Sequence, residues 1–284
     1  MRWKGKRQSE NFEDRRGMSG GKLALGGIGG LIVVVLGLLL GGDPQQLLQQ
    51  LQSTGNTEQG PAEISPEEQE LTEFARVVLA STEDVWATLY REQQQTYRPA
   101  SLVVFRDGTQ TDGCGFGATA NGPFYCPADE KVYIDLSFNE ELRNRFGATG
   151  EFAMAYVIAH EIGHHVQLLQ GTLPKVQGMR GELSERAFNK LMVQLELQAD
   201  FYAGVWAHHA NKASEVYIDE SDIEDGIAAA SAVGDDRLQM QSQGYVVPDA
   251  FTHGTSAQRA YWFRKGFETG DLRQGDTFSS PDLQ

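Results

Sequence analysis

The feature that most restricts this chain is an uncharged apolar stretch, Leu23–Leu40, closed by Gly41 and Gly42 ahead of Asp43. Roughly twenty such residues, at a rise of about 1.5 Å each, reach across a bilayer core as one helix. A cleavable leader fits less well, because the run is longer than a usual leader's apolar centre and no Ala-x-Ala site follows it. The expectation is a single transmembrane helix over 23–42. Ahead of it, residues 1–22 hold seven bases and three acids, a net +4. The whole 284-residue chain carries −15, which leaves −19 behind the tail. The bases before the span predict a cytoplasmic N-terminal tail and a body across the membrane, in the periplasm or outside the cell. So acidic a body excludes a nucleic-acid binder, which needs a basic face.

Residues 43–63 are rich in Gln, Ser, Thr, Gly and Asn and read as a polar linker, so a folded domain is expected over 64–284. It has two cysteines, Cys114 and Cys126, in a Gly- and Pro-rich stretch. In an oxidising compartment these are expected to pair, closing a short loop worth about 3 kcal/mol. Without a Cys-x-x-Cys there is no zinc ribbon.

Ser65-Pro66-Glu67-Glu68 starts a helix with a capping Ser, a Pro at the first position and a Glu at the third. Its pattern runs to about Ala80, restarts at Ser81 and continues through Tyr90. Leu102–Phe105 and Lys131–Leu136 read as strands. Helical stretches follow at about 151–169, 184–211, 222–241 and 256–268, the third opened by Ser221-x-x-Glu224 and the last by Thr255. The expected class is α+β, mostly α, with a small sheet.

His160-Glu161-Ile162-Gly163-His164 lies inside the stretch 151–169. Residues four apart sit one turn up on the same helix face, so both imidazoles can reach one metal ion while Glu161 holds a water beside it. Chance gives this pattern in roughly one chain of this composition in a hundred. The apolar residues before it, Phe152, Ala153, Ala155, Val157, Ile158 and Ala159, predict a buried helix, where two His and a Glu without a partner are costly. A catalytic zinc takes three protein ligands and leaves one position for water. The longer pattern ending Gly-x-x-His fails, since Gln167 and Gln170 stand at those places. The third ligand is therefore sought further on, in Glu196-Leu-Gln-Ala-Asp200, whose two acids share a helix face. Glu196 is the expected ligand, and Asp200 the acceptor for the free N–H of a metal-bound His. Asp200 itself and His208 are the rivals for the third place. His165 reads as a packing residue, and His209 as exposed near a helix end.

These segments together resemble the bacterial neutral zinc metallopeptidases, membrane-anchored proteins with a His-Glu-x-x-His site. The resemblance runs from Met1-Arg-Trp through Gly122-Pro-Phe-Tyr-Cys-Pro127, the 160–165 helix, Leu195–Asp200 and Gly204-Val-Trp-Ala207 to Thr252-His-Gly-Thr-Ser-Ala-Gln-Arg259. More loosely, the Glu-x-x-x-Asp placement is similar to the gluzincins. That implies a zincin-like domain holding Zn2+ through His160, His164 and Glu196, with Glu161 as base. Many members of the family carry a cysteine just after the Asp and another near the C-terminus. Here Phe201 and Gly275 stand at those places, which implies a second disulfide lost as a unit.

The chemistry expected is hydrolysis of a peptide or protein substrate, with Glu161 taking the proton of the attacking water and passing it to the leaving amine. A second donor is needed for the oxyanion. His253, in a loop before the last helix, is the candidate, with Tyr202, Tyr217 and Arg259 behind it. Substrate is expected to add beside a sheet edge at Lys131–Leu136. Two other readings stay open: an inactive zinc-bound membrane scaffold, and a zinc hydrolase acting on a non-peptide amide.

Overall fold

The computed structural model describes residues 1–17, 64–119, 122–144, 151–280 and Leu283. The span expected over 23–42 and the linker over 43–63 lie outside them. Among the described residues no helix is long and apolar enough to cross a membrane.

The fold is mostly helical with a small sheet. The chain opens with β1 (Phe12–Asp14), followed by the long helix α1 (Pro66–Glu92). Five short strands come next: β2 (Ser101–Phe105), β3 (Gly108–Gln110), β4 (Phe116–Ala118), β5 (Phe124–Cys126) and β6 (Lys131–Asp135). The remainder is helical: α2 (Phe138–Asn144), α3 (Glu151–Leu169), α4 (Thr172–Gly178), α5 (Glu185–Ala213), α6 (Glu220–Ala232), α7 (Asp235–Gln243) and α8 (Ser256–Thr269). The Ser65 capping box forms as the sequence predicts, with Ser65 and Glu68 each accepting the other's backbone N–H. The break expected near Ser81 does not occur. Ser81 and Thr82 are buried and turn their hydroxyls onto Ser214 and onto the Leu79 carbonyl, so α1 runs on through them. The helix expected over 222–241 is two helices, parted at Val233 and Gly234, and Asp219 rather than Ser221 caps the first.

The main sheet has the order β1-β2-β6-β5, with β1, β2 and β6 parallel and β5 antiparallel. This corrects the expected substrate edge: β6, within 131–136, is flanked on both sides, and β5 is the edge nearer the site. Cys114 and Cys126 are joined, tying the turn of the β3–β4 hairpin to the end of β5.

A second correction concerns the basic N-terminal segment, expected as a tail apart from the body. Over its described residues it is part of the fold. β1 pairs with β2 in register from Phe12 against Leu102 to Asp14 against Val104. Trp3 is buried edge-on against Phe74, with its indole N–H on Glu151. The opposite charges of tail and body have a local meaning here. Lys4 meets Glu70, and Arg7 meets Glu83 and Asp84 at 3.1 and 2.8 Å, while Glu13 of β1 takes Lys131 at 2.5 Å.

Three helices position the site. α3 is buried from Phe152 to Gln167 and is crossed by α5. At the crossing a Cβ on Gly163 would lie 3.0 Å from the Cα and carbonyl oxygen of Ala199, so a larger residue there would push the two helices apart by a few tenths of an ångström. That approach carries Glu196 and Asp200 to the two histidines. α8 crosses the far side of α5 where Gly204 faces Gly266, and brings Arg259 to Asp200.

Candidate metal centre

His160, Glu161 and His164 project from α3 into a cleft of about 560 Å³, bounded on one side by β5 and the loop before it and on the other by α7 and the His253 loop. Glu196 of α5 closes the group. Its Oε2 lies 3.2 Å from His160 Nε2 and its Oε1 3.5 Å from His164 Nε2. One ligand atom from each residue falls within 4.8 Å of the others. A zinc tetrahedron with bonds of about 2.0–2.2 Å has ligand–ligand edges of about 3.4 Å, so the 3.2 and 3.5 Å spacings of Glu196 to the two imidazoles suit such an ion.

Asp200 lies on the other side of the His160 ring from Glu196. Its Oδ1 lies 2.8 Å from His160 Nδ1, the nitrogen turned away from Glu196. The two acids of the i, i+4 pair thus grip opposite nitrogens of one ring: Glu196 on the side of Nε2, Asp200 behind Nδ1. Asp200 is wholly buried, and Arg259 balances its charge through Nε at 2.8 Å and a second guanidinium nitrogen at 3.0 Å. Tyr156 donates its hydroxyl to the same carboxylate at 2.5 Å. Such a bidentate, fully bonded pair is the form in which a buried ion pair is tolerated.

Burial works against charge on both imidazoles. Asp200 and Glu196 override it at His160 and push its pKa up to about 10, and Glu196 raises that of His164. Burial likewise opposes charge on Glu196, but His164 and His160 hold it well below the usual carboxylate range. The acids around the two imidazoles make this pocket favourable to positive charge, which is the electrostatic requirement of a dication site.

His253 lies at the rim of the same cleft, as the sequence places it. Its Nδ1 is 3.1 Å from Asp235 Oδ1, a partner that the sequence reading missed. Asp235 opens α7 nineteen residues before Gly254, and no local spacing links it to His253. The other residues considered go elsewhere. Tyr202 bonds Gln170 on the far side of α5, and Tyr217 stacks under Arg2. His208 and His209 bond the carbonyls of Phe267 and Gly270. His165 is buried between the Tyr125 hydroxyl and the Arg98 carbonyl, and its desolvation lowers its pKa.

Residues 1–278 match the family model described as "Putative neutral zinc metallopeptidase". The chain belongs to that family. It is 47% identical to the "Uncharacterized protein YpfJ" of Escherichia coli K12, over 98% of this chain and 99% of that one. It is 46% identical to the "Uncharacterized protein Mb2605" of Mycobacterium bovis, over 60% of each chain. The same values hold for the "Uncharacterized protein Rv2575" of Mycobacterium tuberculosis. No solved structure matches the chain.

Proposed function

We propose that this member of the family hydrolyses peptide bonds, with zinc held by His160, His164 and Glu196. The observation that carries the reading is the convergence of three ligand-ready side chains with Glu161 and His253 in one cleft beside an open strand edge. When bound, zinc supplies a Lewis acid that polarises a carbonyl and brings the pKa of water towards about 7. Glu161, one residue from the ligand His160, takes the proton of the attacking water and delivers it to the leaving amine. His253, protonated and held by Asp235, donates to the carbonyl oxygen as negative charge grows there. Asp200 keeps the His160 N–H on Nδ1 and so leaves Nε2 free to ligate.

The outer edge of β5, Phe124–Cys126, offers backbone groups to a substrate running alongside as an added strand. Phe124, Phe138, Val157 and Leu238 line the cleft with apolar surface, and Glu141 is an acid among them. This lining favours apolar or basic side chains over acidic ones. A Cys114–Cys126 bond supports an oxidising compartment for the domain, as disulfides persist there.

The test is zinc content and cleavage of a peptide library by the full chain beside Glu161→Gln. One zinc per chain in both, with cleavage only in the parent, is the expected result. Wild-type protein that takes up no zinc after reconstitution overturns the site, and zinc-loaded protein that cleaves no peptide overturns the activity.

A further inference from the structure

The two candidate histidine ligands are supported differently. Behind His160 stands a carboxylate; behind His164 stands a carboxamide. Gln167, three residues on along α3 and fully buried, places its Oε1 2.9 Å from His164 Nδ1. In the sequence Gln167 stands out only as a mismatch to a longer zinc motif.

Which way this carboxamide points is decided by its neighbours. Its Nε2 faces the backbone carbonyl of Leu195 at 2.7 Å, and a carbonyl can only accept. The amide nitrogen must therefore lie on that side and the oxygen on the side of His164. The oxygen in turn requires a hydrogen on His164 Nδ1, which leaves Nε2 with its lone pair towards Glu196. The second hydrogen of the Gln167 amide goes to Gln198 Oε1 at 3.1 Å. Gln198 is pinned in the same manner, since its Nε2 faces the Gly275 carbonyl at 3.0 Å. Two backbone carbonyls, one in α5 and one in the C-terminal segment, thus set both carboxamides and through them the tautomer of His164.

Gly275 is packed as tightly as it is bonded: a Cβ there would stand 2.5 Å from the ring of Phe201. The segment cannot draw back from α5 without opening this contact and the Gln198 bond together.

We propose that Gln167 is a positioning residue that holds His164 in its metal-binding tautomer, and that Gln198 and the Gly275 carbonyl lock it from the C-terminal segment. The inference rests on zinc occupying the site of the preceding section. Unlike Asp200 behind His160, Gln167 adds no charge, so its role is direction rather than basicity.

The experiment compares the full chain with Gln167→Met, Gln198→Met and Thr277→Val, all carrying Glu161→Gln to prevent self-cleavage. Met keeps the length of Gln and removes its polar ends. Thr277 is a control: it is fully buried and donates its hydroxyl to Gln194 O, tying the same C-terminal segment to α5, and Thr277→Val removes that tie while keeping the backbone N–H that it donates to the Gly275 carbonyl at 3.0 Å. Zinc dissociation constants come from competition with a chromophoric chelator, ligand geometry from the visible spectrum of the cobalt-substituted proteins, and folding from Tm without metal. Loss of such a partner weakens metal binding roughly 10–100-fold. That loss is expected in Gln167→Met with a shifted cobalt spectrum, a smaller loss in Gln198→Met, and parent values in Thr277→Val. Unchanged zinc affinity and cobalt spectrum in Gln167→Met overturn the proposal and leave the metal site standing. Equal weakening in Thr277→Val overturns it as well, because general loosening of the segment then accounts for the effect. Should Gln167→Met not fold, Gln198→Met against Thr277→Val decides by the same readings. A parent chain that binds neither zinc nor cobalt overturns the site itself, and the proposal with it.

Discussion

Asp235 holds His253 by both the ring and the backbone. Its Oδ1 lies 3.1 Å from His253 Nδ1, while its Oδ2 accepts the backbone N–H groups of Thr252, His253 and Gly254 at 2.8, 2.6 and 3.1 Å. One carboxylate at the start of α7 therefore sets both the loop and the imidazole it presents to the cleft. Burial alone would lower the His253 pKa, but the Asp235 hydrogen bond and the charges of Glu196 and Asp235 together outweigh it and raise the value above the ordinary 6.5. A group that acts protonated and has a raised pKa works below that pKa and fails as pH rises through it. The alkaline limb of kcat is thus expected to follow His253, and Asp235→Asn is expected to move that limb to lower pH. His253→Ala is expected to lower kcat roughly 10²–10³-fold, the scale of losing one oxyanion donor, with zinc retained. An alkaline limb unmoved by Asp235→Asn removes this role.

Glu161 and Glu196 share the cleft and are expected to respond in opposite ways. Glu161 sits beside the ligand cluster, and Glu161→Gln should keep one zinc per chain while turnover falls at least about 10²–10⁴-fold. Glu196 lies within ligand distance of both imidazoles, and Glu196→Ala should lose the metal. Metal analysis of the two purified proteins reads both outcomes, and full zinc in Glu196→Ala would take Glu196 out of the ligand set.

Arg259→Met tests the support behind His160. The guanidinium is buried and spans Asp200, Tyr156 and the Val233 carbonyl. Removing it leaves Asp200 buried with no cation but a protonated His160. Breaking one side of such a pair costs about 3–5 kcal/mol. Denaturant unfolding of metal-free protein is expected to show that loss, and a change under about 1 kcal/mol would mean that water reaches Asp200 in the variant.

The N-terminal segment yields a prediction that runs against the sequence reading. Trp3 is 5% exposed and packed on Phe74. Trp3→Ala should therefore cost about 3–5 kcal/mol, as for any large core truncation. A free tail would cost nothing. The same packing means that a fragment starting at residue 64 lacks β1 and should melt lower than the full chain.

The chemistry of the site was legible because it is local. A helix period places His160 beside His164 and Glu196 beside Asp200, and a buried helix does not keep such groups without partners. The Ser65 cap, the cysteine pair and the longer helices follow from signals of the same short range. What was not legible is the pairing of distant segments. Three-residue strands such as β1 and β5 carry too little pattern to be seen, and β1 finds its partner some ninety residues on, at Leu102. For the same reason β6 reads as an edge in the sequence: its own residues do not say that β5 lies beyond it. Asp235 and Gln167 escaped because each is defined by what it faces. Several of the N-terminal bases pair with acids of α1, a use of the charge contrast that no local pattern announces.

Phe201 and Gly275 stand where many relatives are expected to carry cysteines, and the structure brings the two positions together. A Cβ on Gly275 would lie 2.5 Å from Phe201 Cδ1, which puts the two Cβ positions within about 5 Å, near the roughly 3.5–4.5 Å that a disulfide requires. Either change alone is expected to destabilise. Gly275→Cys drives a side chain into the Phe201 ring, and Phe201→Cys leaves a cavity where a fully buried ring had been. Made together, the smaller side chain at 201 clears the space that the new one at 275 needs, so the two effects should not add. Under oxidising conditions the pair is expected to close, and a loop of this size is worth about 4 kcal/mol to the folded state. Thiol titration and Tm with and without reductant read the result. Two thiols still free after oxidation would mean that the Phe201–Gly275 contact, on which the anchoring of the C-terminal segment beside Gln198 rests, is looser than this packing requires.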